Sequence, residues 1–370
     1  MDSGVKNVFN RFSVKQIVCS LIAILSLLLF GILTIWSSRK VKSLDSQQAA
    51  ARWDAEGESA QVSCFFSEEV TVDEMQLTGF RLELEKSLKE VLSAEEYANE
   101  NDRRLIIDAY SSMGKITLVS EKGALEADAV GIGGDFFFFH PLKLVSGGYF
   151  SGEDLMKDSV IIDEEAAWQL FGSSDIAGQS VLINNVPHFV EGVIKREDGK
   201  LAERAGLDKT IVYVSNETLN EYGTGRGIST YEVVAPNPVK GYVYNKVKEK
   251  IGVKEEDMVV VENSSRYSVE ALVPVILDFG MRSMQHTAVR FPYWENMARG
   301  IEDISALVLL LQFILLLLPI VIVVSFLITK WRKRTFSWRD VERKVIDIKN
   351  RSIQYLQSIK NKTKSNEGGK

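Results

Sequence analysis

Hydrophobic and polar positions along the chain fall into two regimes. From Gln16 to Ser38, 23 residues pass without a charge, centred on Ile22-Ala23-Ile24-Leu25-Ser26-Leu27-Leu28-Leu29-Phe30. From Ile304 to Thr329 a second uncharged stretch runs for 26 residues. A helix needs about 20 apolar residues to cross ~30 Å of hydrocarbon, so each stretch predicts a transmembrane helix. The first is longer than the apolar region of a secretory signal and ends in Trp36-Ser37-Ser38-Arg39, not at a small-residue cleavage site, so it reads as an uncleaved anchor. Neither span holds an ionisable residue, which argues against an ion pathway. Gln312 is placed to hydrogen-bond between helices, and Pro319 to kink the second span.

The chain between the spans alternates short strand and helix patterns. Arg39 to about Ala60 reads as a helical stalk rich in Ala, Gln, Lys and Arg. Gln61 to Phe66 follows as a strand, and Thr71-Val72-Asp73-Glu74 as a helix start. Leu77, Phe80, Leu84, Leu88 and Leu92 then recur at steps of three or four and mark one apolar helix face. Arg104–Ser111 and Lys115–Ser120 read as two strands turning at Met113-Gly114. The order returns later, with a strand at Thr230–Val234, a helix from Pro238 to Ile251 and a strand at Met258–Val261. Two β-α-β units separated in sequence predict a split, ferredoxin-like α+β lobe.

Residues of about 130–215 form an inserted, mainly-β lobe. It contains the strand Asp158–Asp163, the helix Glu164–Phe171, and strands Ser180–Asn184 and His188–Val193 separated by an Asn185-Val186-Pro187 turn. The glycines of Ala129–Asp135 precede four phenylalanines and no helix, so they read as a tight turn and not as a dinucleotide loop.

The resulting organisation has five parts. Residues 1–15 are a cytoplasmic segment with Val5, Val8, Phe9 and Phe12 on one helical side, and 16–38 are the first span. Residues 39–303 are the extracytoplasmic domain, 304–329 the second span, and 330–370 a basic cytoplasmic tail. In that tail Trp338, Val341, Val345, Ile348, Tyr355, Leu356 and Ile359 mark an amphipathic helix suited to lipid or to a protein partner.

Charge sets the orientation. Residues 1–15 carry Lys6, Arg11 and Lys15 against Asp2 alone, and 330–370 carry 13 basic against 4 acidic residues, whereas 39–303 have a net charge of −17. Basic flanks remain inside, so both termini belong in the cytoplasm and the chain is a multi-pass plasma-membrane protein in contact with lipid.

Catalytic signatures are missing. The sequence has no G-x-x-x-x-G-K-[ST] phosphate loop, no G-x-S-x-G elbow and no H-E-x-x-H zinc motif. His140, His188 and His286 lack metal-ligand spacing, and Asp163-Glu164-Glu165 suits a helix N-terminus better than acid/base work. Cys19 lies in the first span and Cys64 outside it, so no disulfide is expected. No catalytic, cofactor or metal site and no nucleic-acid partner is expected.

One ordered run does carry a resemblance. Asp135-Phe136, His140-Pro141 and Leu144 lead into Val145-Ser146-Gly147-Gly148-Tyr149-Phe150 and Ser151-Gly152-Glu153-Asp154. Val160–Asp163, Glu164-Glu165-Ala166-Ala167-Trp168-Gln169-Leu170-Phe171-Gly172, Asp175–Ile183 and Val190-Glu191-Gly192-Val193 follow. Over about 60 residues this order resembles the external domain of MacB/FtsX-like ABC permeases, in which L-x-x-G-R-x-F, A-x-x-L-F-G and V-x-G-V segments succeed one another. The chain departs from that pattern in having two spans where the family usually has four, and Gly147-Gly148-Tyr149 where the family often has Gly-Arg.

The resemblance implies a permease-like subunit of the mechanotransmission type, without catalysis of its own, in which a separate cytoplasmic ATPase moves the membrane helices and a stalk passes the movement outward. Two spans imply a half-permease that assembles with further permease subunits, identical or different, or a relative that has lost ATPase coupling. By position, Trp331, Arg334 and Trp338 are the expected ATPase contacts. The rival readings are a two-span envelope scaffold of the polymer-length-regulator kind, forming a homo-oligomeric ring, and a ligand sensor; neither couples to an ATPase.

Overall fold

A computed structural model describes residues 14–92, 104–225, 227–282, 289–332 and 346–350. The expected amphipathic face of residues 1–15 and most of that in the tail lie outside these residues. Two compact units are defined, one of residues 32–312 and one of residues 1–31 with 313–370.

Helix α1 (Val14–Lys42) and, at the far end of the chain, a helix at Tyr293–Arg332 are the two helices long and apolar enough to cross a membrane among the described residues. In the smaller unit, Ser26 Oγ donates to the carbonyl of Leu315, so a hydroxyl inside one apolar helix is satisfied by the backbone of the other. In the larger unit, Gln312 Nε2 donates to Thr34 Oγ1 at 2.8 Å, the interhelical bond its position predicts.

The expected continuous stalk is broken. Helix α1 ends at Lys42, a 3₁₀ turn spans Asp45–Gln47, and α2 is only Ala49–Trp53. Arg52 explains the break, because its guanidinium donates back to Asp45 O at 2.7 Å and across to Phe138 O at 2.7 Å, folding the segment onto the domain.

Strand β1 (Ser59–Phe66) leads to α3 (Glu74–Val91). The Asp73 carboxylate caps that helix by accepting from Gln76 N at 2.8 Å, and Leu77, Phe80, Leu84 and Leu88 are its buried face. Strand β2 is one continuous run, Ile107–Ser120, and reverses only after Ser120 into β3 (Gly123–Gly134). The expected turn at Met113-Gly114 is therefore absent. Gly114 serves close packing, since a Cβ there would lie 2.9 Å from the backbone nitrogen of Gly225.

The glycines of Ala129–Gly134 are likewise strand residues and not a tight turn. A Cβ on Gly133 would run into the Tyr110 ring, and one on Gly131 would come within 3.0 Å of Leu219. Only Gly134, at φ 62°, needs the left-handed region.

After the short helix α4 (Phe136–Phe139) come β4 (Lys143–Gly147), β5 (Ser159–Asp163), α5 (Glu164–Leu170), β6 (Ser180–Ile183) and β7 (Val186–Lys195). The β6–β7 turn sits at Asn184-Asn185, with φ 49° and 67°, so Val186 and Pro187 already belong to a strand. Asparagine tolerates positive φ, and two successive left-handed residues suit a tight hairpin. Strand β8 (Ile211–Ser215), α6 (Asn216–Tyr222) and β9 (Thr230–Pro236) follow. Helix α7 starts at Tyr242 and runs to Lys250; Pro238–Gly241 form the turn before it, and Asn237 Oδ1 accepts from Tyr242 N at 3.0 Å across that turn. The last elements are β10 (Met258–Glu262), α8 (Val269–Leu277) and α9 (Tyr293–Arg332).

Strands β10-β1-β9-β2 lie side by side, all antiparallel, which is the order that two split β-α-β units produce. Helices α3 and α7 cover one face, where Phe80, Leu84, Leu88, Val243 and Val247 pack on Val62, Cys64, Tyr231 and Val233. The inserted strands continue this sheet. Pairings β2–β3, β3–β8, β8–β5, β5–β7, β7–β6 and β6–β2 return to their starting strand, so these strands close a ring around Leu118, Val160, Ile162, Val190, Val212 and Val214. Closure removes the exposed strand edges an open sheet would leave.

A candidate coupling junction where the last helix meets the sheet

The second face of the ferredoxin-like sheet is covered by α2, α4 and the first turn of α9, and polar groups gather there. Trp294, at the start of α9, is buried, with its ring 4.4 Å from the His140 imidazole and 5.7 Å from Phe136, centroid to centroid. Its neighbour Tyr293 meets Tyr213 hydroxyl to hydroxyl at 2.8 Å. Burial drives both phenols above their ordinary range, so the pair stays neutral.

Behind Trp294 a buried polar chain crosses the sheet. His140 Nε2 pairs with Glu232 Oε2, and Glu232 Oε1 accepts from Ser63 Oγ at 2.7 Å. Ser63 Oγ in turn accepts from Asn263 Nδ2 at 2.7 Å. The chain therefore links α4, β9, β1 and the end of β10 to the first turn of α9.

A second arrangement centres on Arg266, which is 5% exposed. Its guanidinium donates to both oxygens of Glu295, at 2.7 and 2.8 Å, and to Glu302 Oε2 at 3.1 Å. Arg282 reaches the same Glu302 oxygen at 2.9 Å and Asp303 Oδ1 at 2.9 Å. Glu295 and Glu302 are seven residues apart and so lie on one side of α9. Burial alone would pull Arg266 below its usual range; the attraction of Glu295, then their hydrogen bonds, then Glu302, raise it above that range instead. Desolvation makes such a cluster a weak source of net stability, but removing one member is costly. Next to it Ala298 and Ile301 pack on Leu44, the residue at which the stalk leaves α1.

Among the described residues, five buried side-chain polar atoms have no hydrogen-bond partner in the protein: His140 Nδ1, Thr230 Oγ1, Asn263 Oδ1, Arg266 Nε and Trp294 Nε1. Four of them belong to these two arrangements. Buried polar atoms are nearly always paired, and the exceptions among the described residues are concentrated at this junction.

Of the positional candidates in the tail, one lies among the described residues. Trp331 is exposed near the end of α9, and Arg334 and Trp338 lie outside the described residues. The junction residues were missed from the sequence, although Glu295 and Glu302 stand about two helical turns apart at the head of an uncharged run, a signal for an anchored helix base. No group of three or more His, Cys, Asp or Glu side chains that would hold a metal occurs among the described residues.

A family model described as the MacB-like periplasmic core domain matches residues 22–255. The chain belongs to that family, a family of membrane proteins related to ABC-transporter permeases. A macrolide export ATP-binding/permease protein MacB of Agrobacterium fabrum is 30% identical over 149 residues, 38% of this chain and 22% of that protein. One of Chromobacterium violaceum is 33% identical over 76 residues, 20% of this chain and 12% of its own length. The matched stretch thus spans less than a quarter of either relative. Among solved structures, the periplasmic region of MacB from Actinobacillus actinomycetemcomitans aligns with a TM-score of 0.36 at 18% identity, over 61% of this chain and 94% of that one. The extracellular domain of the ABC-type transporter YknZ from Gram-positive bacteria aligns with a TM-score of 0.36 at 16% identity, over 54% and 99% of the two chains.

Proposed function

We propose that this chain is a permease-like membrane subunit of the mechanotransmission type, coupling a separate cytoplasmic ATPase to an extracytoplasmic domain and catalysing nothing itself. The observation that supports this most is α9, a single helix of 40 residues with no loop between its anchored first turns and its apolar stretch. Its first three turns carry Trp294, Glu295, Ala298, Ile301 and Glu302, all buried in the domain. A helix base fixed by a bidentate arginine pair and continuing without a loop into the apolar stretch can pass on a displacement that a loop would absorb.

In this reading residues 16–38 and 304–329 are the spans, 39–303 are extracytoplasmic with the inserted lobe at about 130–215, and residues 1–15 and 330–370 are cytoplasmic. The tail, through Trp331, Arg334 and Trp338, meets the ATPase. Membrane lipid and further permease subunits complete the assembly. The ATP-binding/permease relatives lend the ATPase partner its support.

Purification of the full chain from its native host, after gentle cross-linking and in mild detergent, tests the proposal by mass spectrometry of what accompanies it. An ABC ATPase is expected, and is lost when residues 330–370 are deleted. Recovery of self-oligomers alone, unchanged by that deletion, contradicts the proposal and favours a scaffold.

A further inference from the structure

Helix α8, VEALVPVIL, is apolar on nearly every side. Its one ionisable residue, Glu270, is drawn toward the domain by an ion pair with Lys240 at 2.6 Å. One side of the helix is occupied: Leu272 and Val275 are buried, and with Ile276 they pack on Ala306 and Leu309 of α9. Among the described residues the adjoining side is largely uncovered. Val269, Val273 and Leu277 stand at successive steps of four, exposed at 62%, 44% and 78%, and Phe279 and Met281 extend the exposed apolar surface beyond the helix end. A helix that is apolar all round is not a water-facing helix; its open side is matched by an apolar medium.

Ala306 and Leu309 identify that medium. Both lie within the uncharged run Ile304–Thr329, in its first two turns on the side of the domain. A helix packed against those turns sits at the level where hydrocarbon begins. The segment just beyond its far end is held too, because Arg282 pairs with Glu302 and Asp303 immediately ahead of the apolar run. A cavity of about 740 Å³ adjoins α8 between the ends of α1 and α9, its lining joining Val269, Leu272 and Leu309 to polar Ser37, Lys42, Asn263 and Ser305.

We infer that α8 is an interfacial helix that lies in the membrane leaflet on the domain's side, with Val269, Val273 and Leu277 inserted among lipid acyl chains. It gives the domain a lipid-seated foot beside α9, so that movement of the domain is measured against the bilayer surface as well as against the spans. Such helices bury their apolar side several ångströms into the headgroup boundary. The inference rests on α9 being a membrane span.

Spin-label accessibility tests it. The full chain, with Cys19→Ser to remove the exposed thiol and Cys64 left buried, is placed in nanodiscs of phosphatidylethanolamine and phosphatidylglycerol. Single cysteines are introduced as Val273→Cys and Leu277→Cys, with Leu316→Cys as a span reference and Asp198→Cys as a water reference. Lipid-soluble oxygen is expected to relax the labels at 273 and 277 more than a water-soluble nickel chelate does, with depths between those of the two references. Dominance of the nickel chelate at 273 and 277, with oxygen still dominant at 316, overturns the inference and leaves the span intact. Protection from both agents with dipolar broadening also overturns it, because a second copy then covers the helix. Dominance of the nickel chelate at 316 removes the span and the inference together.

Discussion

Replacing Arg266 with alanine destabilises the domain by about 3–5 kcal/mol, the range for removing one partner of a buried ion pair. Glu295 is 1% exposed, and both its oxygens lose their guanidinium partner together. Glu302 keeps Arg282, so the loss falls mainly on Glu295. For a domain of this size, each kcal/mol moves the midpoint by about 2–4 °C, so thermal unfolding in nanodiscs shifts down by roughly 6–20 °C. The combined variant Arg266→Met with Glu295→Leu recovers most of that loss, because an apolar replacement removes the charge along with its partner. A cost below about 1 kcal/mol for Arg266→Ala, the range of an exposed pair, shows that the clamp is solvated.

The second large effect is at Glu232. Alanine there removes the acceptor of both Ser63 and His140 and opens a void between β9 and α4. Leaving buried polar groups unpaired costs about 1–3 kcal/mol each, so a loss of about 2–5 kcal/mol is expected in chemical unfolding. Glu232→Gln retains the volume and an amide oxygen for Ser63, and is expected to lose less than half as much. Equal losses in the two variants show that charge pairing with His140, and not the hydrogen-bonded chain, holds the site.

Local pattern made part of this architecture legible. The steps of Leu77, Phe80, Leu84 and Leu88, the cap at Asp73 and the two uncharged runs are statements about neighbours in sequence, and the elements follow them. The return of a strand-helix-strand order after the insertion was enough to give the ferredoxin-like lobe. The closed ring was not legible, since its β3–β8 and β5–β7 pairings are parallel and join strands far apart in sequence. The glycines at 131 and 133 misled for a related reason: they make way for Leu219 and Tyr110, neighbours visible only after folding.

The junction was hidden by distance as well. Arg266 finds Glu295 and Glu302 across 29 and 36 residues, and nothing around it in sequence marks it as buried. The tail candidates Trp331, Arg334 and Trp338 came from position and family resemblance, and Arg334 and Trp338 lie outside the described residues.

Hydrogen–deuterium exchange on the full assembly, nucleotide-free against ATP-vanadate trapped, tests the coupling most directly. Coupling through the junction predicts that exchange changes in residues 34–53, in 263–268 and in the first turns of α9, while the ring strands β3, β5, β7 and β8 keep their protection. Identical exchange throughout residues 32–312, in an assembly whose ATPase does respond to nucleotide, contradicts it.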